Sequence, residues 1–154
     1  MALRCSVMAH TDAPEGWWRE FVSALPARTG KLAIVRADGS PHVTPVWVDL
    51  DGGTLVFTTN VGSIKGRAIR RDGRVSVCLD DERPPFAFVT VSGRAEVDDD
   101  PEQVRYWAGR IGARYMGARR ANEFAELNGG PGEVVVRIRD AVVVAKTEVA
   151  PPAP

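Results

Sequence analysis

The sequence predicts a mainly β protein, a six-stranded antiparallel barrel with flanking helices. Short apolar runs recur along the chain, and turn residues separate them at intervals of about ten residues. Helical spacing of apolar residues is confined to the start, the middle and the stretch before the last strand. Because no repeat, linker or low-complexity block divides residues 1–154, we expect a single domain.

The first predicted helix follows Asp12, which can act as its N-cap. Glu15 would close a capping box, and Pro14 suits the first turn. Pro26 is expected to end the helix, since proline disrupts the hydrogen-bond pattern. The apolar face consists of Trp17, Trp18, Phe21, Val22 and Leu25.

Three strands are predicted next, over Lys31–Arg36, His42–Leu50 and Thr54–Thr59, with glycine-containing turns between them. Pro45 lies inside the second strand. Since proline has no N–H to donate to a ladder, it indicates a sheet edge, a bulge or the approach of a ligand.

A short helix over Ser63–Arg71 leads into two more strands, Arg74–Asp80 and Phe86–Val97. A longer helix begins at Asp100, where the sequence matches a capping box, and Gly117 is suited to end it. The spacing of its apolar residues indicates one buried face.

The last part of the chain predicts another helical piece over Ala118–Leu127 and a final strand over Val134–Lys146. That strand is expected to break or bend near Asp140. Residues 1–12 and 148–154 are expected to be flexible ends of the domain.

Charge and hydropathy argue against several classes of partner. The 20 basic and 20 acidic residues give a formal net charge of zero, so we expect neither nucleic acid nor a membrane surface as a partner. No stretch approaches the roughly 20 apolar residues of a membrane span. The first residues also lack a signal-peptide core. The sequence therefore predicts a cytoplasmic protein.

The metal-binding and nucleophilic residue types form no recognised motif. Cys5 and Cys78 lack CxxC spacing, and two reduced thiols are expected rather than a disulfide. His10 and His42 form no zinc motif, and His42 fits a turn or the rim of a strand. Two acidic runs, 80–82 and 98–100, fit solvated turns better than a metal site. We expect no metal and no catalytic side chain.

The stretch 58–67 carries the strongest chemical signal, because hydroxyl and amide side chains and a glycine precede a basic helix. The N-terminus of a helix offers unbonded N–H groups and partial positive charge. Ser63 can cap the helix or donate to an anion, and Lys65 adds a full charge, so a phosphate site is one interpretation. The other is an exposed basic helix with Ser63 as an ordinary N-cap. Neither GxxxxGK[ST] nor GxGxxG occurs.

The run from Gly30 to Val97 resembles the pyridoxamine 5′-phosphate oxidase-like split-barrel superfamily, in particular the deazaflavin-dependent branch called flavin/deazaflavin oxidoreductases, group B. The motifs occur in the matching order DGSPHVTPVW, LVFTT, SIKGR, RRDGRVSV and VSGRAEV, with weaker likeness through residues 114–117. The basic substrate-phosphate motif of the vitamin B6 oxidases is not found near the C-terminus, so B6 oxidation is not expected.

The resemblance implies an FMN-binding-like split barrel that forms a homodimer, with two cofactor sites at the subunit interface. One strand would lie against the cofactor ring through Val43, Thr44, Pro45 and Val46. The adjoining strand end would contribute Thr58, Thr59 and Asn60. The phosphate and tail contacts would come from Ser63, Ile64, Lys65 and Arg67.

Two further assignments follow from the same resemblance. The partner subunit would contribute residues from the strand over 86–94 and Tyr115. Trp47 could flank the cofactor ring, or it could be an aromatic residue of the core.

The choice of cofactor depends on charge, because FMN and coenzyme F-420 both carry a phosphate. The longer polyanionic tail of F-420 fits the four arginines at positions 67, 70, 71 and 74. A composition with three lysines and abundant Ala, Gly and Val also fits a GC-rich bacterium. We therefore expect an F-420-dependent oxidoreductase acting on a small conjugated or aromatic molecule, in which the cofactor supplies the chemistry.

Three alternatives remain open on the sequence. One is an FMN-dependent oxidase or reductase of the same superfamily. Another is a non-catalytic flavin or deazaflavin carrier. The third is a haem-binding split barrel, which the scarcity of histidine disfavours.

Overall fold

The structure is a computed structural model that describes residues 11–150. Cys5, His10 and most of the two predicted flexible ends lie outside the described residues. Within them, strands form one antiparallel sheet: β1 (Thr11–Asp12), β2 (Gly30–Val35), β3 (Pro41–Val46), β4 (Asp49–Asp51), β5 (Thr54–Asn60), β6 (Arg74–Asp81), β7 (Ala87–Asp98) and β8 (Glu133–Thr147). The helices are α1 (Trp17–Ser23), α2 (Ile64–Arg71), α3 (Pro101–Met116) and α4 (Ala121–Leu127), with a 3₁₀ turn over Ala118–Arg120.

The sheet follows the order β3-β2-β6-β7-β8-β5-β4, and β1 pairs with β8. It curls around one core, because Leu32 and Val46 from one end and Leu55 and Phe57 from the other belong to the same buried cluster. Among the described strands, the end strands β3 and β4 do not pair with each other. The barrel is therefore split rather than closed, which confirms the predicted fold class, and β1 and β4 add two short strands to the six expected.

The strand predicted over His42–Leu50 is wrong in one respect, because it is divided into β3 and β4. The N–H of Val48 donates to the hydroxyl of Tyr115 at 3.0 Å instead of to a neighbouring strand. Pro45 lies opposite Lys31 on β3, which is an end strand of the sheet. Of the three alternatives that this proline indicated, the edge position is observed, and its missing N–H leaves no ladder partner unsatisfied.

The predicted start of the first helix at Asp12 is wrong. Asp12 belongs to β1, where it lies opposite Lys146 and forms an ion pair with that side chain. The helix begins at Trp17, after Gly16 with a φ of 80°. Pairing with β8 keeps this segment extended, so a tertiary contact overrides the local capping pattern. The helix ends at Ser23, before Pro26, as the sequence indicated.

The ends of helices α2 and α3 were predicted well. Ser63 caps α2, and Asp100 caps α3, which ends at Gly117. Helix α3 packs on the outer side of the barrel, where Trp107 and Val135 belong to a second buried cluster. Among the described helices, none has the length and apolar character needed to cross a bilayer.

Strands β7 and β8 bend together, which carries them around the barrel. Their register shifts between Ser92 and Arg94, and Asp140 has a φ of 51°. A Cβ atom at Gly93 would lie 2.3 Å from the carbonyl oxygen of Arg139, so the two backbones can approach only because this residue is glycine. The bend predicted near Asp140 is therefore present.

Candidate cofactor-binding site

A cleft of about 330 Å³ lies beside the connection between β3 and β4. This volume falls in the range of small-molecule sites, roughly 300–1,000 Å³. Its lining comes from β3, β5, α2, α3 and the end of α4: Pro45, Val46, Trp47, Thr58, Lys65, Ala108, Ile111 and Asn128. The structure thus brings together Pro45, Val46, Thr58 and Lys65, all of which the sequence had suggested as cofactor contacts.

The turn from β5 into α2 is held by its own hydrogen bonds. The side-chain oxygen of Asn60 accepts from the N–H of Gly62 at 2.9 Å. The hydroxyl of Ser63 accepts from the N–H of Gly66 at 3.0 Å and donates to the carbonyl of Asn60 at 2.7 Å. Ser63 therefore acts as the N-cap of α2, and its hydroxyl organises the turn.

The first turn of α2 leaves two backbone donors unbonded. The N–H groups of Ser63, Gly66 and Arg67 are used within the turn, whereas those of Ile64 and Lys65 have no acceptor among residues 11–150. Unbonded N–H groups at this position are the usual anion-binding donors of a helix N-terminus.

Lys65 is half-buried at the cleft. Its ammonium forms no ion pair with any described residue. By contrast, Lys31 pairs with Asp80 at 2.5 Å, and Lys146 pairs with Asp12. The first turn of α2 thus carries a full positive charge as well as the two unbonded N–H groups, and an anionic ligand would be attracted there.

Gly66 allows this turn to be so tight. A Cβ atom at this position would lie 2.2 Å from the carbonyl oxygen of Asn60 and 2.8 Å from the Cα of Val61. Any other residue would push α2 away from the turn. Sequence reasoning missed this role, for which the available signal was a glycine inside a helical pattern.

Three other predicted contacts support the turn rather than line the cleft. Thr59 is buried, with its hydroxyl 3.2 Å from that of Ser63. Asn60 also donates from its amide to Glu133 at 2.9 Å. The guanidinium of Arg67 donates to the carbonyl of Gly62.

The remaining predicted contacts also lie outside the lining of the cleft. Val43 is 61% exposed on the outer face of the sheet, and Ile64 is exposed at the start of α2. Thr44 is half-buried and lies opposite Leu32, so it shares the core-facing side of β3. Alternation along the strand thus separates Val43 and Pro45 from Thr44.

The arginines near α2 differ in how they are used. Arg71 donates to the carbonyl of Val35. Arg74 binds both carboxylate oxygens of Asp72, at 2.6 and 2.7 Å, and this contact lowers the pKa of Asp72 to about 2. Arg70 has no partner among the described residues. Part of the cationic excess seen in the sequence is therefore already neutralised.

Arg70 lines a second cavity, of about 450 Å³, together with the glycine-rich loop 129–132. This cavity neighbours the cleft. Val104 lines the second cavity and Ala108 lines the cleft, one helical turn apart on α3, and the consecutive residues Asn128 and Gly129 line one each.

Trp47 forms a wall of the cleft and also belongs to an aromatic cluster. Its ring stacks on Tyr115 with centroids 4.9 Å apart and meets the edge of Phe124 at 5.5 Å. The hydroxyl of Tyr115 donates to the carbonyl of Arg28 at 2.6 Å, and burial raises the pKa of Tyr115. This hydroxyl is therefore engaged within its own chain.

The acidic runs are held by basic side chains. Asp81 accepts from Arg83 and Arg28, and these hydrogen bonds lower the pKa of Asp81. Asp98 accepts from Arg137 at 3.0 Å. Among the described residues, no group of three or more His, Cys, Asp or Glu side chains could hold a metal ion.

The outer face of five strands bears two rows of side chains that are exposed or half-buried. Direct pairing across the strands places the members of each row side by side. The first row is Val43, Ala33, Ser76, Ser92 and Val142. The second row is Pro45, Lys31, Cys78, Thr90 and Val144. We call these two rows the outer sheet face; Pro45 belongs both to this face and to the cleft.

The chain matches a family model described as pyridoxamine 5′-phosphate oxidase over residues 18–144. No curated protein sequence matches it. Among solved structures, it is similar to a conserved hypothetical protein from Mycobacterium tuberculosis, with 27% identity and a TM-score of 0.76, covering 95% of this chain and 93% of that one. It is also similar to an F420 reductase, with 29% identity and a TM-score of 0.59, covering 88% of this chain and 96% of that one.

A haem-binding protein from Mycobacterium smegmatis shares the fold, with a TM-score of 0.57 and 21% identity. That match covers 88% of this chain and 59% of the other, and it shows the fold alone. The family match, by contrast, spans most of the chain and includes every residue that lines the cleft. The chain therefore belongs to the pyridoxamine 5′-phosphate oxidase family.

Proposed function

We propose that this protein is an F-420-dependent oxidoreductase of the flavin/deazaflavin group B branch. Its reaction would transfer a hydride between the reduced deazaflavin and a small conjugated or aromatic acceptor. The observation that carries the proposal is the cleft in which the apolar segment 45–47 lies beside Lys65, which forms no ion pair with a described residue and begins, with Ile64, the helix whose first two N–H groups are unbonded.

The residues of the cleft fit the two parts of such a cofactor. Lys65 and the N–H groups of Ile64 and Lys65 would hold the phosphate. Pro45, Trp47 and Ile111 offer apolar surface for one face of a ring and would exclude water from it. When bound, the deazaflavin supplies the hydride chemistry, and no acid or base of the chain is needed for that transfer.

The charge of the second cavity does not separate F-420 from FMN, because Arg70 lies there together with the acidic residues Asp99 and Glu133. Its volume would allow a ligand longer than FMN to extend from the cleft. The similarity to an F420 reductase, at 29% identity, supports the choice of F-420.

We also propose a homodimer in which the partner subunit covers the outer sheet face. Val43, Val142 and Val144 of this face are 61%, 68% and 45% exposed, so apolar side chains are exposed at both sides of the face, on β3 and on β8. Because Pro45 belongs to both surfaces, a partner on this face would border the cleft. The cofactor would then lie in a groove between subunits.

Replacing Val142 with glutamate is expected to convert the dimer into a monomer, because each copy would bury a charge without a partner. Sedimentation velocity or light scattering gives the mass directly. The matched control is Leu25→Glu, which changes a 72% exposed residue outside the outer sheet face and should leave the dimer intact. A wild-type protein of monomer mass would contradict the interfacial groove.

Parallel titrations of the cofactor-free protein with F-420 and FMN test the proposed function. We expect F-420 fluorescence to be quenched with a Kd at least about tenfold lower than that for FMN, a difference of about 1.4 kcal/mol. Tighter binding of FMN would indicate the FMN-dependent oxidase or reductase. Binding of F-420 without turnover of any conjugated acceptor would indicate a carrier.

A further inference from the structure

Asn128 lines the cofactor cleft with a side-chain amide that has no hydrogen-bond partner among residues 11–150. The residue is half-buried and follows the last residue of α4, where its backbone N–H donates to the carbonyl of Phe124 at 2.9 Å. Its backbone is thus fixed, whereas both the donor and the acceptor of its amide remain available to a ligand.

Close packing on both sides fixes the position of this residue. A Cβ at Gly112 of α3 would lie 2.2 Å from the Cβ of Phe124, so α4 lies directly against α3. A Cβ at Gly129 would lie 2.2 Å from the carbonyl of Ala125. This packing fixes the backbone that carries the Asn128 amide, and a side chain on rigid backbone is suited to orient a ligand.

The other polar side chains that line the cleft cannot offer an adjacent hydrogen-bond donor and acceptor as this amide does. Lys65 offers only donors, and the indole of Trp47 offers one donor. Thr58 has a single hydroxyl. An amide presents a donor and an acceptor in one plane, which matches a carbonyl next to an imide N–H. That pair occurs on the pyrimidine-dione edge of both flavin and deazaflavin rings.

We infer that Asn128 is a positioning residue that hydrogen-bonds the carbonyl and imide N–H of the cofactor ring. The inference rests on the proposed function and adds a contact from a side chain that is not among the groups assigned to the phosphate. It assigns the ring and the phosphate to different side chains, so the two contacts can be tested separately.

The test compares FMN with riboflavin, which has the same ring without the phosphate. Asn128→Ala should weaken the binding of both ligands by the same factor, about 5- to 10-fold for two neutral hydrogen bonds, and should shift the absorption band of the bound ring. Asn128→Gln keeps the amide and should recover part of the affinity. Lys65→Met should weaken FMN binding far more than riboflavin binding.

The matched control is Asn122→Ala, which changes an exposed asparagine of α4 that does not line the cleft. It should leave affinity and spectrum unchanged. If the wild-type protein binds FMN and Asn128→Ala binds it equally with the same spectrum, the inference is overturned and the proposed function stands. If the wild-type protein binds neither FMN nor F-420, both are overturned.

Discussion

Replacing Lys65 with methionine is expected to weaken the binding of FMN and F-420 by about 10- to 100-fold, the range for loss of a charge-assisted contact to phosphate. Lys65 lines the cleft and forms no ion pair with a described residue, so its removal leaves no carboxylate without a partner. The fold should therefore be unaffected. Fluorescence titration measures the affinity, and thermal unfolding followed by circular dichroism checks the fold.

The matched control is Arg119→Met, which removes the same charge from an exposed side chain outside the cleft. We expect it to change the affinity by less than about twofold, because exposed charges are screened by salt. Equal affinity of Lys65→Met and wild type would contradict the phosphate site. If Lys65→Met weakens the binding of FMN but not that of riboflavin, the lost contact is the one with the phosphate.

Replacing Gly66 with alanine is expected to lower the free energy of unfolding by about 2–3 kcal/mol and to weaken cofactor binding. The new Cβ would meet the backbone of Asn60 and Val61, neither of which can rotate away. Alanine favours a helix over glycine by about 1 kcal/mol, so a net loss would mean that the clash outweighs the propensity. Chemical denaturation measures the stability.

Gly130→Ala is the matched control, because a Cβ at Gly130 would have no neighbour within 4 Å. Its stability should stay within about 0.5 kcal/mol of wild type, as for most surface changes. Should Gly66→Ala be as stable as this control and bind the cofactor normally, the close approach of α2 to the turn would not be required.

The parts of the fold that were predictable depend on local patterns. Apolar runs separated by turns located the six long strands, and Ser63, Asp100 and Gly117 marked the ends of α2 and α3. The wrong predictions have long-range causes. Pairing with β8 keeps Asp12 in a strand, although its local pattern predicted a helix start. The strand break at Val48 depends on a hydrogen bond with Tyr115, 67 residues away.

The residues of the candidate site also differ in whether a local sequence pattern could identify them. Pro45 and Lys65 could be identified, because a proline in a strand and a lysine at a helix start are local signals. Ala108 and Ile111 belong to the apolar residues of the long helix, whose spacing indicated only a buried face, and Asn128 follows the helical piece predicted over Ala118–Leu127. Their position at the cleft depends on how α3 and α4 pack on the barrel, which no local pattern in the sequence specifies.

A crystal structure of the protein with bound F-420 tests the central claim most directly. We expect the phosphate at the N–H groups of Ile64 and Lys65, within hydrogen-bonding distance of the Lys65 ammonium, and the ring along residues 45–47. A phosphate bound elsewhere, with the ammonium of Lys65 still unpaired and the cleft empty of the ring, would contradict the account.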